Sequence, residues 1–386
     1  MPLLTHRDLI EHAVDYLGGR DSVVMHRDVR SAIQTAYREL GQEKEWSYLL
    51  ARARIEYNAP YSTGTIAYDH TGNALGERVA TLSGGVWPSW ADNGQLKIDI
   101  TDYDVVNRID DTHIQLSEII NPGADVAAGT AYTLYQSAYV LPEDFIRMDT
   151  PLTEGTWYFG QYVHPSDWLA LERYGEGEGY PLFYTIMGDP RRPGRHVMRV
   201  YPYPTSSING DYIYHRRARS LRITGYSTAD SAGTVTISGT ALVGTGTSFA
   251  SVMKGAVIRL GSDSRAPTGM TGTNPWGEEV IIREVTDANN LVLFDAPTGS
   301  YSDVGYYISD PVDVDQSLLT ALLRMIEREL AIAKGFRNVG EITILADRAI
   351  MDARAADARN AQLSSAYGAP SPYTRLAYWP IDFTQS

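Results

Sequence analysis

Two stretches of the chain share one rhythm. YDVVNRIDDTHIQL runs from Tyr103 to Leu116 and VIIREVTDANNLVL from Val280 to Leu293, with starts 177 positions apart (280 minus 103). In each, apolar residues alternate around a polar turn, DDT in one and DAN in the other. Alternation with period two means one buried face, and a polar turn between two such runs predicts a hairpin. Without a gap, Val105 aligns with Ile282, Asp110 with Asp287, Ile114 with Leu291 and Leu116 with Leu293. The flanks align as well: Trp87 with Phe249, Gly94 with Gly255, Tyr132 with Tyr307. We read two copies of a small β-barrel or sandwich module, each of about 75 residues.

The copies are not adjacent, so they do not form a solenoid. Each reads as an insertion into a connection of another scaffold, and insertions succeed at exposed loops. The first fifty residues read as helical. Thr5 and Asp8 form a capping box with Asp in place of Glu, and Leu9, Ile10, Ala13, Val14 and Leu17 mark one face before Gly18-Gly19. A second helix from about Met25 to Leu40 carries Val29, Ile33, Ala36, Tyr37 and Leu40, with Gly41 as its expected cap. Towards the other end, Asp315 or the residues just before it cap a helix reaching about Lys334, with Gly335 as its stop, and a second helix runs from Glu341 to about Ala361. The resulting division is a helical scaffold part over 1–53, a first β module over 54–139 and a scaffold part with a short helix and strands over 140–221. A second β module over 222–309, C-terminal scaffold helices over 310–363 and an extended tail over 364–386 complete it. The expected fold class is α+β: a helical-bundle scaffold with a small β piece, two inserted β-barrel or sandwich modules forming an internal repeat, and an extended tail.

Charge narrows the partners. The formal net charge is −14, which disfavours gripping nucleic acid or an anionic membrane by charge neutralisation. There is no cysteine, which removes disulfides, thiolate nucleophiles and cysteine metal sites. The N-terminal stretch lacks a basic region followed by an apolar run, and no stretch has the ~18 apolar residues of a membrane span. Synthesis and assembly in a cytoplasm are expected.

Catalytic patterns fail on inspection. HRD occurs at His6–Asp8 and His26–Asp28, but the kinase loop needs Asn five residues after the Asp, where Ala13 and Ile33 stand. The glutamates of GEGEG (Gly175–Gly179) would repel phosphate, DPVDVD (Asp310–Asp315) reads as helix capping, and the histidines show no i,i+4 pair for zinc. Adjacent carboxylates at Asp110-Asp111 and Glu278-Glu279 cannot face each other across a glycosidase cleft. No enzyme activity, no catalytic or metal residue and no cofactor is expected.

The scaffold order carries a resemblance. SAIQTAYRELGQEKEWSYL, then LPEDF, GYPLFYTI, MRVYPYP and YIYHRR, then a terminal helix pair, resembles the head-to-tail adaptor (neck) proteins of tailed bacteriophages. The inserted GTGTSF…GAVIRL…VIIREVTDANNLVL…GYYIS segment is similar to β modules common in phage neck and tail proteins. This implies a structural protein of the virion neck, forming a homo-oligomeric ring of about twelve copies under the portal protein. Further neck or tail proteins, tail tube or fibres, would follow below, and DNA would pass without sequence-specific contact. The chain departs from the pattern in carrying two β modules. Its proline- and aromatic-rich tail, with Tyr373, Arg375, Tyr378, Trp379 and Phe383, would dock on the portal or a neighbour. Arg191, Arg192 and Arg195 in DPRRPGR, and Arg216, Arg217 and Arg219 in HRRARS, are candidate subunit-interface or lumen charges. Alternatives are a tail-tube or fibre-anchoring neck ring and, in another class, a carbohydrate-binding adhesin-like protein whose Trp87, Trp90 and Trp276 stack on sugars.

Overall fold

The computed structural model describes the chain except residues 1–2, 20–22, 73, 150–151, 155–156, 175–176, 190, 270–271 and 367–386. It divides into two compact units, residues 1–49 with 218–386, and residues 50–217.

The fold class differs from the expected helical bundle. Among the described residues the chain is mostly β, with five sheets, two of them forming half-barrels, and it is 27% helical against 34% strand. The physical reason lies mainly in residues 140–221. Among its described residues the only helix is Pro165–Tyr174. Elsewhere the segment alternates, and its backbone pairs with partners distant in sequence. LARARIEY, partly assigned to a scaffold helix region, is the strand Leu50–Tyr57, paired along its length with Ile208–Arg216. Phe145–Met148 joins the same strand from the other side. A second sheet orders Gln161–Tyr162, Phe183–Gly188, His196–Tyr201 and Ala138–Val140. Between them lies a tyrosine-rich core of Tyr57, Tyr139, Tyr184, Tyr212 and Tyr214 with Phe145, Met198 and Val200.

The first unit holds the main helices. α1 (His6–Tyr16) starts with the capping box of Thr5 and Asp8. α2 (Val23–Glu43) passes through Gly41 rather than stopping at it. α3 is the isolated Pro165–Tyr174 of the other unit. α4 (Leu319–Lys334) ends where Gly335 turns left-handed at φ 66°, and α5 runs Val339–Ala366. Leu9, Ile10, Ala13, Val29, Ile33, Leu322, Ile326 and Leu330 share one core.

The two modules have the same topology. The first orders Thr65–Asp69, Val79–Ser83, His113–Leu116, Thr101–Arg108, Gly94–Ile98 and Thr133–Gln136, with Val126–Thr130 added at one edge. The second orders Thr234–Ser238, Ala241–Thr245, Asn290–Leu293, Glu278–Val285, Val257–Leu260 and Tyr306–Ser309. Both hairpins carry a register shift at the same place, between Val105 and Asn107 and between Ile282 and Glu284. Asp110 accepts from the Thr112 and His113 N–H groups, and Asp287 from those of Asn289 and Asn290. Two alignments shift by one position. Gln95 and Val257 begin matching ladders, which puts Gly94 opposite Ala256. Tyr132, edge-on to Trp87 at 5.1 Å, corresponds to Tyr306, which meets Phe249 at 5.8 Å. Their hydroxyls donate to the carbonyls of Thr63 and Ala232, each just before a left-handed glycine, Gly64 and Gly233.

Candidate functional site

The described residues build two candidate surfaces, the seats that hold each module on its body. Core residues Leu96, Ile98 and Leu134 of the first module correspond to Ile258, Leu260 and Ile308 of the second. The residues between them point to the opposite face of the same three strands. Both modules are anchored by that face.

In the second module the seat centres on Arg259, 1% exposed. Its cross-strand partners are Glu279 and Tyr307. The guanidinium uses all five donors: Nε to Glu279 Oε2 at 3.0 Å, Nη1 to Asp8 Oδ1 at 2.7 Å and to Tyr307 Oη at 2.9 Å, Nη2 to Leu3 O at 2.7 Å and to Asp8 Oδ2 at 2.9 Å. The Trp276 ring lies 4.4 Å from it. Burial opposes the charge of Arg259, but hydrogen bonding to Asp8 and Tyr307 outweighs burial and raises its pKa. Asp8 is the capping-box residue of α1, so the box that starts the helix also fixes the module to it. Beside it Arg7 lies 4.1 Å from the Tyr307 ring and 4.6 Å from the Tyr226 ring, and its N–H donates to Ser309 Oγ. A second fixed point is Asp310, 1% exposed, which accepts from Arg219 Nε and Nη2 and from the N–H groups of Arg222 and Ile223.

In the first module the same face is seated differently. Lys97 stands where the second module has Arg259, with Asp102 opposite it. The anchors are Gln95, which accepts from the Tyr203 hydroxyl, and Tyr135, which donates to Glu178 and stacks on Tyr203 at 5.4 Å. Burial, then the Glu178 contact, raises the Tyr135 pKa. Arg191 closes the side, donating to the Asp92 and Val106 carbonyls and to Asn93 Oδ1.

The arginines singled out in the sequence do not form one patch. Arg191, Arg192 and Arg195 share one turn, where Arg191 grips the module and Arg195 pairs with Glu143. Arg216 and Arg217 lie at the end of the Ile208–Arg216 strand, the Arg217 N–H donating to the Asp144 carbonyl, and Arg219 belongs to the other unit, on Asp310. Tyr373, Arg375, Tyr378, Trp379 and Phe383 lie outside the described residues. Trp87 is 1% exposed and belongs to the module core, so its ring is not offered to a sugar. Arg259 escaped notice in the sequence, yet a signal was present: an arginine among the apolar residues of AVIRL, with the Glu278-Glu279 pair on a nearby strand.

No protein-family model, no curated protein and no solved structure matches the chain. Among the described residues no group of His, Asp and Glu could hold a metal ion, and no helix is long and apolar enough to cross a membrane.

Proposed function

We propose that the chain is a structural head-to-tail adaptor of a bacteriophage virion, assembling into a ring below the portal that joins capsid to tail and lets DNA pass. The observation that carries this reading is the paired construction of the modules. Two half-barrels of one topology are each seated by the same sheet face, through different side chains. Such seats leave the remaining module surfaces for neighbours, which suits a protein whose work is assembly. The acidic chain, at −14, supports a conduit role, because carboxylates repel phosphate and let DNA slide. Its partners would be the portal protein and the next neck or tail protein, and its place the virion.

Mass measurement in solution tests the proposal, on the purified chain alone and mixed with portal protein. The expected result is a complex carrying a ring of about twelve chains on the portal. A chain that ignores the portal at micromolar concentrations overturns it.

A further inference from the structure

Helix α5 buries Ile342, Ala346, Ile350 and Ala353 along one face. On the opposite face Ile344 is 68% exposed and Met351 67%, with Ala355 exposed one turn further on. Spacings of seven and four place these three on one stripe. Four charged residues, Glu341, Arg348, Asp352 and Arg359, border the stripe on one side, and all are exposed. At 3.6 residues per turn they lie within about 40° of one another around the helix. Among the described residues Glu341, Arg348 and Asp352 have no hydrogen-bond or ion-pair partner, and Arg359 donates to the Ala355 carbonyl of its own helix. Leu345, Arg348 and Asp352 also line a groove of about 320 Å³ facing Ser317, Thr320 and Arg324, which leaves this flank accessible.

The order of these charges is complementary to its own reverse. Arg348 and Asp352 stand two residues either side of Ile350, and Glu341 and Arg359 nine either side. A second α5 laid antiparallel about a two-fold axis at Ile350 brings Arg348 opposite Asp352 and Glu341 opposite Arg359, each twice. A parallel copy sets like charges against one another. We propose that this face of α5 docks a second copy of the chain, its α5 antiparallel to the first. Ile344, Met351 and Ala355 form the apolar seam, and the ion pairs fix direction and register. From Glu341 to Arg359 is ~27 Å of helix, a short contact that suits a reversible pair rather than a permanent one. Neighbours in a cyclic ring meet through unlike surfaces, so this self-complementary contact does not rest on the adaptor reading.

Sedimentation of the full chain from ~1 to ~200 µM should show its mass rising towards that of two chains. Arg348→Asp or Asp352→Arg alone sets like charges face to face and should weaken the pair at least ~tenfold. Both together exchange the two charges and should restore the affinity to within ~threefold of the native chain. Direction is read from cross-linking, which the absence of native cysteine keeps clean. A cysteine at position 351 (Met351→Cys) lies ~3 Å along the axis from its mate and should form a disulfide between chains under mild oxidation. Ile344→Cys places the mates ~18 Å apart along the axis and should not. A single-chain mass at every concentration, a double exchange that fails to restore the pair, or equal cross-linking at 344 and 351 would each overturn the proposal. All these positions are exposed, and circular dichroism of each variant keeps loss of folding apart from loss of pairing.

Discussion

Two residues show how local chemistry constrains the structure. His6, in the first turn of α1, is completely buried and neither ring nitrogen is in hydrogen-bond geometry. Burial lowers its pKa from 6.5, against the pull of the Asp310 carboxylate. The sign follows from linkage: the unfolded chain binds the proton more readily, so stability is complete above the unfolded pKa and is lost as pH falls below it. Denaturant midpoints measured from pH 7.5 to 5 should decline more steeply for the native chain than for His6→Phe, and parallel curves would count against this assignment. Gly233 is the second case. Its φ is 76°, and a Cβ there would collide with the Thr245 carbonyl. Gly233→Ala should therefore cost at least ~1–3 kcal/mol, read as a fall in thermal midpoint. Gly64 holds the equivalent position in the first module, against Ser83, and should respond alike.

Elements meet through charge as much as through apolar contact. Truncating Arg259 would strand Asp8 and Glu279, two largely buried carboxylates with side chains 26% and 15% exposed. Removing one partner of a buried pair typically costs ~3–5 kcal/mol, and the lower end applies here because Asp8 keeps some solvent. Arg259→Met should lower the stability of this unit by ~3 kcal/mol in denaturant titration, and a double-mutant cycle with Asp8→Asn should show coupling above ~1 kcal/mol. Thr5→Ala should cost ~1 kcal/mol through the cap alone. The capped start of α1 and the stop at Gly335 were legible in local sequence, because a cap is decided within a few residues, whereas Asp315 caps only the short turn Gln316–Leu318 that leads into α4. The end of α2 was not. Gly41 tolerates helix at a modest penalty, and the chain continued to Glu43, with Trp46 beyond it buried in the same core.

At the scale of the molecule, the unit of residues 50–217 begins and ends on a strand pair. Leu50 lies opposite His215 in an antiparallel ladder, so its two ends are neighbours. A segment with adjacent ends and its own core should fold when excised. Residues 50–217 expressed alone should unfold in one cooperative transition, and the whole chain should show two by calorimetry. A fragment without cooperative unfolding would sink this expectation. The module repeat is the part of this architecture that sequence displayed best, because a hairpin's alternation and turn are set by neighbours in the chain. The seats were hidden, since Arg259 and Asp8 are 251 positions apart and meet only after folding.

The sequence by itself determined the capped helices, the two hairpins and the buried face of each module, because these depend on the period of apolar residues and on turn chemistry. Tertiary structure decided the class of the fold. Whether an alternating stretch such as Leu50–Tyr57 becomes an isolated strand or part of a sheet depends on a partner some 150 residues away, Ile208–Arg216. It also decided which face of each module is covered. Lys97 and Arg259 occupy matching positions, yet only Arg259 meets a helix start, because only its face closes over Asp8.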